Sequence, residues 1–127
     1  MYFAKQRFAV LDHNNNNDAI RAFAKGGIGA AIAINSGALI ASLSQADSLI
    51  ALTGRSFFAD AIVAWAVGVS AAAIAWVFAI VAASGFANGQ KKLELWAAGA
   101  GIVAVLLSIS LFLLGFFSIA QGIHAQP

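Results

Sequence analysis

Residues 61–84 read AIVAWAVGVSAAAIAWVFAIVAAS, and no Asp, Glu, Lys or Arg interrupts them. A run of about 18 or more apolar residues is long enough to cross a bilayer as a helix. Two flanking stretches, 26–46 and 95–127, are equally free of those four residues. Hydrophobic residues make up 61% of the 127-residue chain and charged residues 9%, with a mean hydropathy of +0.87. Seven basic and five acidic side chains cannot cover a soluble body of this size with polar surface. The composition therefore argues against a soluble enzyme and a nucleic-acid binder. The absence of cysteine argues against a disulfide scaffold. An all-α membrane protein with three transmembrane helices remains.

The expected crossings are 26–46, 61–84 and 95–120, together a 26–120 bundle with a short tail at 121–127. At 1.5 Å per residue the first is about 31 Å long and the third about 39 Å, so the third must tilt or project. Residues 1–25 are expected to form an amphipathic segment lying in the interface. Phe3, Phe8 and Leu11 share one side of that helix, with Lys5 and Gln6 opposite. The polar run Asn14–Asn17 reads as a break, with Asn16 or Asn17 capping a new helix that opens at Asp18. Met1–Leu11 lacks the pattern of a signal peptide, so the first crossing should lead insertion. In the connection 47–60, a short helix from Asp47 should end at Gly54, and Ser56 should cap the next.

Basic residues set the expected orientation. Lys5, Arg7, Arg21, Lys25, Lys91 and Lys92 fall on one side of the three-crossing scheme and Arg55 on the other. Positive flanks face the cytoplasm, which puts the N-terminus inside and the C-terminus outside. Arg21, Lys25, Lys91 and Lys92 then act as interface anchors, as do Trp65 and Trp96 in the aromatic belts. Trp76 lies deeper and should pack between helices.

Intramembrane chemistry needs ionisable groups facing a cavity, and none lies within a crossing. Zinc-protease pairs, nucleophile elbows and phosphate loops are missing from the sequence, and neither His13 nor His124 sits where it could hold a haem or pigment. No catalytic, cofactor or metal site is expected.

What the sequence offers instead is helix packing. Gly29, Ala33, Gly37 and Ala41 recur every four residues in the first crossing, and Ala64, Gly68 and Ala72 in the second. Ala97 and Gly101 form a shorter ridge in the third. Small residues at this spacing let helix backbones approach closely in lipid. Asn35, Ser70, Ser108 and Ser110 fall near the bilayer midplane. An amide at that depth needs partners, so Asn35 is expected to face another helix and bond a serine hydroxyl or a backbone carbonyl.

The element Ile34-Asn35-Ser36-Gly37-Ala38 resembles the NGGA element in the first crossing of small three-helix inner-membrane proteins of proteobacteria. Ser36 stands where those proteins carry a second glycine. Phe112-Leu113-Leu114-Gly115 is similar to an element late in their third crossing. The resemblance implies a bacterial inner-membrane protein and transfers no site. Together these features favour a non-catalytic membrane subunit. It would contact lipids and other membrane subunits, or further copies of itself, and no nucleic acid. The contrasting expectation is a membrane-permeabilising protein of the holin or defence-effector kind. Such three-helix proteins carry a basic cytoplasmic tail, and residues 121–127 contain no Lys or Arg.

Overall fold

The computed structural model describes the backbone of residues 2–125, with side chains for Asp18, Arg21 and Ala22 and from Ala24 onward. The described residues form four α-helices and no strand: α1 (Tyr2–Ser44), α2 (Ala46–Thr53), α3 (Arg55–Ala87) and α4 (Lys91–His124). Three spans are long and apolar enough to cross a membrane, as a multi-pass membrane protein requires: Ala24–Ser44, Arg55–Ala87 and Lys91–His124. Most large apolar side chains on α3 and α4 point outward, among them Val63, Val77, Leu106 and Phe116, each more than half exposed. The buried set is small: Ala31, Ala61, Ala72, Ala75 and Ala97 are at most 1% exposed. In water this would be inside out. In lipid it is the expected partition, because tails solvate Leu and Phe while close backbone contact rewards small residues.

The seam has a period that four-residue ridges do not capture. Along α3 the inward positions are Phe58, Ala61, Trp65, Gly68, Ala72 and Ala75, steps that alternate three and four. Along α4, Ala97, Ser108, Gly115 and Gly122 are buried on the same alternation, with half-buried Gly101, Ala104 and Leu111 completing it. In α1, Ile28, Ala31, Asn35 and Ser42 are buried and Ala38 half-buried. A mean step of 3.5 is the repeat that keeps one seam facing a partner, with a left-handed supercoil. The helices alternate in direction. Gly85 lies against Glu94 and Phe78 against Trp96, which makes α3 and α4 an antiparallel hairpin. The α3–α4 interface is by far the most extensive, and α1 rests mainly on α3.

Both sharp turns are built on glycine. Gly54 (φ 81°) closes α2 with its N–H donated to Ile50 O at 2.9 Å and opens α3. Gly89 (φ 67°) turns α3 into α4, where Gln90 N–H reaches back to Gly85 O at 2.8 Å. Side chains other than glycine rarely adopt that left-handed backbone region.

Several expectations are corrected. The asparagine run does not start a helix, since α1 runs unbroken through Asn14–Asn17 and Gly26-Gly27 to Ser44. Asparagine's helix penalty is a few tenths of a kcal/mol, too small to break a ladder that neighbouring turns support. The faces expected of Phe3, Phe8 and Leu11 lie outside the described side chains, as does the end of the tail beyond Ala125. Ser56 is not a cap, since α3 already begins at Arg55 after Gly54. Residues 121–124 belong to α4 rather than to a tail.

The tryptophans change places. Trp65, expected in an aromatic belt, is 4% exposed and sits on the α3 seam. Trp76, expected between helices, is 53% exposed because it lies one residue past the seam position Ala75. Trp96 remains outward, its ring edge-on to Phe78 with centroids 5.7 Å apart.

Candidate functional site

Among the described residues, one polar cluster joins three helices, close to the middle of all three spans. Asn35 of α1 and Ser108 of α4 are both 0% exposed, and they meet over Gly68 of α3. The Asn35 amide donates from Nδ2 to Ser108 Oγ at 3.0 Å, with Ser108 O at 3.2 Å and Ala31 O of its own helix at 3.0 Å. Ser108 Oγ in turn donates to Gly68 O at 2.8 Å. The hydroxyl thus accepts from α1 and donates to α3. In hydrocarbon no water can replace these bonds, so the groups must satisfy one another.

Gly68 is what lets them meet. A Cβ built on it would overlap Asn35 Oδ1 and lie 2.7 Å from Cγ. Asn35 Oδ1 has no conventional hydrogen-bond partner. It faces the direction in which Gly68 carries a Cα–H, a weak donor worth less than an N–H. Asparagine at a seam position of a coiled coil specifies register at a cost in stability, and Asn35 has that placement here. The cluster can pin three helices at one depth. Its donors are spent on Ala31 O of α1 and on the two neighbouring helices.

Two further contacts extend the same logic along α4. Trp65 donates its indole N–H to Phe112 O at 3.1 Å and packs on Gly115. Thr53, 1% exposed at the end of α2, packs on Gly122 and donates its hydroxyl to Leu49 O at 2.8 Å. Gly115 and Gly122 stand seven and fourteen residues after Ser108. A search for four-residue spacing passes over both, and the seven-residue repeat from Gly101 through Ser108 would have revealed them.

The other expected residues divide by face. Gly68 and Ala72 are buried in the seam and Ala64 is half-buried beside it. The ridge Gly29, Ala33, Gly37 and Ala41 is exposed throughout, and nothing approaches within 4 Å of where a Cβ would stand on Gly29 or Gly37. It lies one or two residues off the α1 seam, so it faces away from the other described helices. Ser70 and Ser110 are exposed and bond back to Ala66 O and Leu106 O of their own helices. At the end of the bundle near the α3–α4 turn, the Arg21 guanidinium stacks over the Phe86 ring, 4.4 Å from its centroid. Lys91 and Lys92 open α4 at that same end, and Lys25 lies one turn beyond Arg21. Among the described residues no three His, Asp or Glu side chains come together as a metal site would require. Comparison with known protein families, with characterised proteins and with solved structures finds no significant match to this chain.

Proposed function

We propose that the protein is a non-catalytic membrane subunit that works through helix packing, joining further copies of itself or other subunits of an inner-membrane complex. One observation carries this reading. The ridge Gly29, Ala33, Gly37 and Ala41 sets four small residues, two of them glycine, at four-residue spacing, and all four face away from the bundle. Such ridges let two helices approach closely enough for backbone van der Waals contact, which in lipid drives association. The polar cluster beneath spends its donors within the chain, and the outer ridge stays exposed.

The chain lacks cysteine, so single thiols report on this face cleanly. Gly37→Cys should crosslink to a neighbouring subunit in native membranes, while Val103→Cys, on an outward face of α4, should not. Gly37→Leu should reduce the crosslinked or assembled fraction about tenfold or more, and Gly37→Ala much less, because the ridge already contains alanine. Equal and negligible effects of both changes, or a monodisperse monomer without partners in mild detergent, would overturn the reading. Rapid loss of membrane potential on induction would favour a pore instead.

The proposed orientation is N-terminus in the cytoplasm, C-terminus outside. It is supported by the grouping of Arg21, Lys91 and Lys92 at one end of the bundle, with Arg55 at the other. A reporter that fluoresces only in the cytoplasm should stay dark when fused after Pro127. A bright fusion means an even number of crossings or the reverse orientation.

A further inference from the structure

We propose that α1 is a detachable helix, which docks and undocks as a unit against a rigid α3–α4 hairpin, latched by Asn35 and hinged at Gln45. The proposal does not depend on the partner or on the oligomeric state.

The latch is unusual in what it leaves behind when it opens. Ser108 Oγ–H is bonded to Gly68 O, and both residues stay in the hairpin. Asn35 Nδ2–H already reaches Ala31 O, which leaves together with α1. Among the described residues, the hydrogen bonds that cross the opening interface are those from Asn35 to Ser108, with the Arg21–Phe86 stack crossing it nearer the α3–α4 turn. Asn35 Oδ1 has no conventional partner even when docked, so undocking takes none from it. Leaving a polar group unpaired in hydrocarbon costs several kcal/mol, and that penalty ordinarily locks buried polar clusters shut. Here that penalty is confined to the second N–H of the Asn35 amide, because its first N–H keeps Ala31 O and the Ser108 hydroxyl keeps Gly68 O.

The packing supports the same division. The α3–α4 seam is continuous from Gly85 against Glu94 to Trp65 against Gly115. Gly122 extends α4 onto Thr53, so α2 stays tied to the hairpin. By contrast, among the described side chains α1 buries Ile28, Ala31, Asn35 and Ser42, and its described interface is much the smaller. Between α1 and the anchored α2 stands a single non-helical residue, Gln45, at φ −116° and ψ 21°. Rotation there swings α1 without disturbing α2.

Spin-label pairs on the cysteine-free chain test this in liposomes, with labelled protein diluted into unlabelled copies so that only distances within one chain are read. Asp18→Cys with Gln90→Cys spans α1 and the α3–α4 turn. Arg55→Cys with Gln121→Cys spans the hairpin alone. The first pair should show a docked distance and a longer one, and Asn35→Ala should raise the ratio of long to docked by about 3-fold to 10-fold, the range an interhelical hydrogen bond in a membrane supports. The second pair should keep one distance in both proteins. An unchanged ratio for the first pair overturns the latch. A hairpin distance that spreads together with the first pair overturns the rigid-body division. Neither result depends on the crosslinking at Gly37 that tests the proposed assembly.

Discussion

Replacing Gly68 with alanine should lower bundle stability by about 1–3 kcal/mol, the usual cost of forcing an extra methyl into a filled site. The new Cβ would occupy the space of Asn35 Oδ1 and stand 2.7 Å from Cγ and 3.1 Å from Nδ2. Asn35 cannot simply turn aside, because its amide is held by Ser108 on α4 and by Ala31 on α1. The methyl must therefore either break those bonds or push α1 off α3. A double-mutant cycle separates this clash from a generic helix effect. In the Asn35→Ala background the obstructing oxygen is gone, and Gly68→Ala should cost much less than in the parent. The coupling should fall between about 0.5 and 3 kcal/mol, as for other contacting pairs. Unfolding in mixed micelles titrated with SDS measures it. Additive effects would mean that Asn35 does not press on Gly68.

Gly115→Ala should be at least as damaging, at about 2–3 kcal/mol, because what it meets is stiff. The added carbon would lie 2.5 Å from Trp65 Nε1, 2.7 Å from Cε2 and 2.9 Å from Cδ1, all members of one planar ring. That ring is 4% exposed and tethered through its N–H to Phe112 O, one turn away on the same helix as the offending methyl. To relieve the clash, α3 and α4 must separate at this level. Trp65 emission should then change in a background where Trp76 and Trp96 are phenylalanine. Gly99→Ala is the control: Gly99 is exposed with nothing within 4 Å, so alanine there should be neutral or slightly stabilising through helix propensity. If the two changes behaved alike, the contact of Trp65 on Gly115 would not be limiting.

The sequence by itself determined the membrane class, the three spans and the turn near 85–94, because each follows from one-dimensional quantities. A charge-free apolar run has no stable place in water whatever its neighbours do, and Gly89 with Lys91 and Lys92 can only end a span. The short helix before Gly54 was legible for the same local reason. The need of Asn35 for a partner was also legible, since an amide at midplane must bond something. Which faces meet was a different kind of question. In lipid, burial carries no hydrophobic signature: Gly37 and Gly68 are both small residues in apolar helices, yet one faces outward and the other holds the central crossing. Ser70, Ser108 and Ser110 are equally plausible by depth, and only the rotation of α4 against α3 brings Ser108 inward. Trp65 and Trp76 exchange their expected roles by a rotation of the same kind. Close packing of two or three helices at a 3.5-residue repeat decides these matters, because it selects one seam from several chemically similar stripes. That selection is made by the shapes of the facing helices together, and only the tertiary structure contains it.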